Sequence, residues 1–192
     1  LSLNKPKYIT PLIEDCLAKK QQAQLELYRK YYKAMYNTAL RIVKDQAWAE
    51  DIMQESFLSA FQKLDQFSGI VTFGAWLKKI VINKSLVAYK KQKKEAHTSI
   101  ENLEHKMEVV VELEDSDKAA LNKKKAKLII LAIESLNENY RLSLSLHLLE
   151  GLTHEEVSEV LGISNANCRT TFSRVKEQLR KKLEEDPIWK NK

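Results

Sequence analysis

Glycine and proline are scarce, at four and three residues in a chain of 192, well under the roughly 7% and 5% usual for each. So little turn punctuation excludes an all-β sandwich or barrel, which needs a turn between every pair of short strands. It also leaves no room for glycine-rich phosphate loops, and neither a dinucleotide fingerprint nor a P-loop lysine motif occurs. Long apolar runs are missing too. The longest, Leu128 to Ile133, is six residues against the ~18 or more that a membrane span requires, so no membrane insertion is expected. Leu1 to Thr10 carries lysines but no apolar stretch of the secretory kind, and a cytoplasmic location is the default expectation. The two cysteines, Cys16 and Cys168, have no C-x-x-C spacing and are expected as reduced thiols, with no disulfide framework or four-ligand zinc site. Neither a metal nor a cofactor is expected.

What the chain does have is charge, unevenly spread. Its formal net charge is +6, which favours a polyanionic partner. Residues 73–94 hold seven lysines and no acid, whereas residues 95–117 hold one cation against eight acids. Cations dominate again over 118–133, with five lysines and no acid, and over 165–182, with six cations and one acid. The stretch 95–125 lacks aromatic residues and reads as a charged, mobile linker. It separates an expected first domain, residues 8–94, from a second, residues 126–183.

The first domain reads as helices. Thr10 followed by Pro11 is an N-cap and first-turn pair for a short helix through Leu12, Ile13, Cys16 and Leu17. A longer helix, about 22–43, repeats Leu25, Tyr28, Tyr32, Met35, Tyr36, Ala39 and Leu40 at three- and four-residue steps, the spacing of a core face. A third, about 47–64, buries Met53, Phe57, Ala60, Phe61 and Leu64. On its other side Asp51, Gln54, Glu55, Leu58 and Gln62 share a face. Carboxylates and amides around one apolar anchor are the makeup of a docking surface, with an ordinary solvated face as the plainer alternative. Asp51 and Glu55 lack any histidine or metal partner, so no catalytic role is expected. A fourth helix, capped by Thr72 and running to about Lys94, is expected to pack Phe73, Trp76, Leu77, Ile80, Val81 and Val87, with Ile82 and Leu86 opposite that stripe. Its crowded lysines call for a polyanion, or else form a solubilising surface.

Beyond the linker, Leu128–Leu136 and Arg141–Leu149 read as two apolar helices. Thr153-His154-Glu155-Glu156 is a capping box that opens a short helix bearing Val157, Val160 and Leu161. Gly162 ends it, and Ser164 is placed to cap a following helix through about Lys182, with Cys168, Phe172, Val175 and Leu179 as its core face. This is a helix-turn-helix pattern. Ala166, Thr170 and Ser173 face away from that core, flanked by Asn167, Arg169 and Arg174, side chains suited to base edges and phosphates in a major groove. His154 is expected at the surface of the capping turn.

Two of these stretches together carry a family resemblance. Ala49-Glu50-Asp51-Ile52-Met53-Gln54-Glu55-Ser56-Phe57, followed by Phe73-Gly74-Ala75-Trp76-Leu77-Lys78-Lys79-Ile80-Val81-Ile82-Asn83, resembles region 2 of the bacterial sigma-70 superfamily. Leu152 to Ser164 resembles region 4. With two domains and a linker, over about residues 10–183, the chain is similar to extracytoplasmic-function (ECF) sigma factors. The resemblance implies an all-α protein of two small helical domains that directs promoter recognition, melting and transcription initiation as a dissociable, non-enzymatic subunit of RNA polymerase.

By the same resemblance Asp51, Gln54, Glu55 and Leu58 would dock on the clamp helices of the largest β-type subunit of core polymerase. Asn83, Lys84 and Lys90 would meet the −10 element, where lysines hold phosphates while exposed bases are trapped. Ser164, Asn165, Asn167, Arg169, Thr170, Ser173, Arg174 and Lys176 would read the −35 element of promoter DNA. The acidic linker would enter the polymerase's RNA path or act as a solvated tether, and an anti-sigma factor is the usual further partner. The chain departs from the family at Thr171, where many relatives carry a basic residue, at Leu136-Asn137 in place of a Leu-Pro turn, and in the short segment between Phe67 and Phe73. The rival reading is a two-domain helix-turn-helix regulator that binds duplex DNA alone. Such a regulator needs neither the Asp51 face nor a lysine-rich melting helix.

Overall fold

The computed structural model describes residues 7–96 and 117–184. The described elements are helices in two compact units, Leu1–His105 and Lys106–Lys192. Most of the expected linker, residues 97–116, lies outside the described residues.

Unit 1 contains α1 (Pro11–Leu17), α2 (Gln21–Val43), α3 (Gln46–Gln62), a 3-10 turn (Leu64–Gln66) and α4 (Phe73–Ala96). Local chemistry sets the boundaries. Thr10 accepts from the Ile13 amide and so caps α1, and Asp45 accepts from the Trp48 amide at 2.8 Å and caps α3. Between α2 and α3 the chain reverses through Lys44 at φ 61, a left-handed residue that closes the first helix. Thr72 accepts from the Ala75 amide at the start of α4.

The three long helices pack pairwise. Ala39, Ala49 and Ala60 are fully buried beside Ile42, Met53 and Leu77, and such small side chains allow close approach of helix backbones. A Cβ on Gly74 would meet the Tyr31 ring at 2.7 Å, so glycine there permits α4 to lie against α2. An aromatic layer closes the same end: Tyr31 and Trp76 each pack on Phe73, at ring-centroid distances of 5.7 and 5.8 Å.

Four side chains depart from the expected packing. Val87 is 70% exposed, while Ile82 and Leu86, expected opposite the core stripe, are buried. The buried row on α4 runs Phe73, Leu77, Val81, Ser85, and each four-residue step turns it about 40° around the helix. That inclination suits a helix packed on two neighbours, and it carries Ile82 and Leu86 inward while leaving Val87 outside. Leu25, expected in the α2 stripe, is 45% exposed, and Leu27, Ile42 and Val43 take up the burial instead.

Unit 2 contains α5 (Asp117–Glu134), α6 (Glu138–Leu144) continued by a π-helical turn (Ser145–Leu149), α7 (His154–Leu161) and α8 (Asn165–Glu184). The first turns of α5 fall within the stretch read as linker, since alanines, lysines and a leucine are good helix formers even without an apolar face. The expected Arg141–Leu149 helix is divided, because Glu150 donates its amide back to Ser145, a five-residue step that widens the last turn. Ile133, Leu136, Leu144, Val175 and Leu179 form the core, with Ile129, Tyr140 and Phe172 packed on it. Among the described residues no helix is long and apolar enough to cross a membrane.

Candidate partner and nucleic-acid interfaces

On α3, Ile52, Met53, Ser56, Phe57 and Ala60 turn inward and are buried. Asp51, Gln54, Glu55 and Leu58 are thereby all left exposed on the outer side, Leu58 at 63%. A large apolar side chain so bare, ringed by polar ones, is the composition of an interface anchor. Gln54 donates to Glu50 at 3.3 Å along the helix.

The α3 face continues onto α4 through an open groove of about 590 Å³, lined by Trp48, Asp51, Ile52, Glu55, Asn83, Lys84, Val87, Ala88 and Lys91. Lys84 donates to Glu55 Oε2 at 3.1 Å across it, and the Lys91 ammonium lies 5.9 Å from the Trp48 ring centroid. Asn83 is exposed and Lys84 half-buried on the groove wall, and Lys90 is exposed further along α4. Trp48, Val87 and Lys91 went unrecognised in the sequence because the groove joins residues roughly thirty to forty positions apart. The one available signal was a valine among lysines on the solvent side of an inclined stripe.

In unit 2 the helix-turn-helix is built by its caps. Thr153 accepts from the Glu156 amide and Glu156 accepts from the Thr153 amide, completing the capping box. Gly162, at φ 67, turns the chain out of α7. Ser164 then accepts from the Asn167 amide at 3.1 Å and starts α8. Val157 and Cys168 are fully buried between the two helices, and burial pushes the Cys168 thiol up. The small core residue expected at position 168 is therefore what the packing uses.

Ser164, Asn167, Arg169, Thr170, Ser173, Arg174 and Lys176 are exposed on α8 and its cap. Thr170 spends its hydroxyl proton on the Ala166 carbonyl, at 2.9 Å, and Arg169 lies 3.8 Å from Glu155. Asn165 differs from the others, being half-buried with a buried Oδ1 that meets no donor among the described residues. His154, expected at the surface of the capping turn, is half-buried at the start of α7. Its ring packs 4.3 Å from that of His147 and 4.5 Å from that of Phe172, because the π turn brings His147 over the start of α7. His147 Nδ1 donates to the Leu152 carbonyl at 2.7 Å, since a carbonyl can only accept.

Two helical units, the second presenting one bare basic helix of a helix-turn-helix, place the chain among nucleic-acid-binding proteins. Residues 27–95 match the model of Sigma-70 region 2, and residues 126–179 that of Sigma-70, region 4. The chain is 28% identical over 163 residues to the RNA polymerase sigma-H factor of Pseudomonas aeruginosa, covering 82% of this chain and 84% of that one. It is 28% identical over 140 residues to the ECF RNA polymerase sigma-E factor of Salmonella typhi, with coverages of 70% and 73%. In fold it is similar to the sigma factor RpoE of Bartonella quintana, solved with the anti-sigma factor NepR, at a TM-score of 0.54 and 20% identity over 84% of this chain and 96% of that one. The chain belongs to the sigma-70 family and is an ECF-type sigma factor, a non-enzymatic DNA-recognition subunit of RNA polymerase. A stand-alone helix-turn-helix regulator would have no use for a region 2 domain over residues 27–95.

Proposed function

We propose that Asp51, Gln54, Glu55 and Leu58 form the surface by which this sigma factor joins core RNA polymerase, on the clamp helices of the largest β-type subunit. Asn83, Lys84 and Lys90 hold the melted −10 element, and the exposed face of α8 reads the −35 element. Residues 8–94 act as the docking and melting domain, residues 126–183 as the −35 reader, and the intervening stretch as their acidic connection, in the cytoplasm where polymerase works. The observation that carries this reading is the common exposure of the four α3 side chains around a bare Leu58. Leu58 enters an apolar pocket of the partner while the carboxylates and the amide satisfy its rim.

On α8, Arg174 is long, charged and fully presented, and it suits bidentate contact with a guanine edge, whereas Ser164 and Asn167 sit at the helix N-terminus where backbone amides attract phosphate. An anti-sigma factor belongs to the same proposal. Exposed Ile70 and Val71, with Leu58 and Val87, are the apolar side chains such a partner would cover.

The test is co-elution with core polymerase from the same bacterium on size exclusion. Asp51→Arg combined with Glu55→Arg places two cations where two anions stood and should abolish co-elution, with circular dichroism and melting temperature unchanged. Wild-type co-elution of the double variant would sink the docking assignment.

A further inference from the structure

Glu55 and Lys84, each given a separate task by the reading above, occupy one another in the free chain. Lys84 Nζ donates to Glu55 Oε2 at 3.1 Å, from α4 to α3, a contact between positions 29 apart in sequence. The lysine side chain is 33% exposed and the glutamate side chain 66%, so the pair lies on the groove wall with the lysine side chain the more enclosed of the two. Lys84 uses one of the acceptor sites of the Glu55 carboxylate and neutralises its charge, so it competes with a donor on the clamp helices, and an ammonium drawn toward α3 is correspondingly less free to move to a phosphate. Resting on that reading, we propose that the Glu55–Lys84 pair is a latch that couples polymerase docking to DNA engagement. Docking draws the Glu55 carboxylate to the polymerase, the ion pair opens, and the Lys84 ammonium swings to a backbone phosphate of the −10 strand.

The coupling is reciprocal, because a phosphate that takes Lys84 frees Glu55 for the polymerase by the same factor. An exposed pair of this kind shifts an equilibrium by about 1.5- to 5-fold. That is enough to bias the free chain away from DNA, and weak enough to be opened by a partner.

The experiment is a fluorescence-anisotropy titration of the free full chain with labelled oligo(dT), on which a phosphate contact is read without sequence. Glu55→Gln should tighten binding by about 1.5- to 5-fold, and Lys84→Gln should weaken it. In the Lys84→Gln background, Glu55→Gln should give no gain. Asp51→Asn removes the same charge from the same groove without touching Lys84, and should give less gain than Glu55→Gln. An equal gain from Asp51→Asn, or a gain that persists without Lys84, would mean that net charge alone is at work and would overturn the latch, as would no gain from Glu55→Gln. A second titration uses the chain already bound to core polymerase. There the latch is open, and the Glu55→Gln gain on oligo(dT) should vanish; a gain of undiminished size overturns the coupling. Failure of the docking reading shows elsewhere, as polymerase binding retained by the Asp51→Arg/Glu55→Arg variant, and leaves the free-chain comparison to stand or fall by itself.

Discussion

Unit 1 spreads its candidate surface over two helices, and unit 2 carries its own on one. In unit 2 every exposed candidate residue except the capping Ser164 lies on α8, and the signals that start and orient that helix sit within a dozen residues of it: the Thr153 capping box, Gly162 and Ser164. In unit 1 the α3 face is local, but the groove that joins it to α4 depends on which side of α4 is buried. A surface on one helix follows from spacing and caps, whereas a surface between helices follows from packing, which spacing alone does not settle.

The largest effect that could break this comparison comes from the cores. Leu77→Ala in unit 1 removes a fully buried side chain and should cost about 2–5 kcal/mol, measured by urea denaturation. Because α4 also forms one groove wall, this variant should lose polymerase binding at temperatures where the α8 face still binds duplex −35 DNA. Joint loss of both activities would show that the two units do not unfold independently. Next in size is Arg174→Ala, which should cost roughly 1–3 kcal/mol of affinity on the preferred −35 duplex if the side chain reads a base. Equal losses on unrelated duplexes would reassign it to phosphate.

Thr153→Ala should cost about 1 kcal/mol through loss of the capping box, seen as a lower melting temperature of the second unit with no change in polymerase binding. The smallest effect concerns the thiols. Burial pushes Cys16 and Cys168 up, with Asp15 and Glu26 adding to the rise at Cys16. The native state therefore holds these protons more tightly than the unfolded chain does. Their contribution to stability is present below the ordinary thiol range and is lost as pH rises through the raised values. Alkylation of the native chain near pH 8 should accordingly be slower than that of the urea-unfolded chain, and equal rates would place the thiols at the surface.

The two-unit helical fold was legible from low glycine and proline and from apolar periodicity, and the helix-turn-helix from its caps. The α3 face was legible because Asp51, Gln54, Glu55 and Leu58 return to one side at helical spacing. Val87 and Leu25 were misplaced for one physical reason: a stripe extrapolated straight along a helix misses the turn that packing on two neighbours imposes. The ring packing of His154 was not legible, because a π turn, which brings His147 over it, leaves no mark in apolar spacing. The Glu55–Lys84 pair was invisible, since nothing in either helix alone points to a partner 29 positions away.

Run-off transcription with core polymerase, on templates varied separately in the −10 and −35 elements, tests the division of labour most directly. The wild-type chain should discriminate at both elements. Arg174→Ala should flatten discrimination at −35 while leaving −10 intact, and Asn83→Ala should do the reverse. A variant on one unit that erased discrimination at the other unit's element, with its own element still read, would contradict the account.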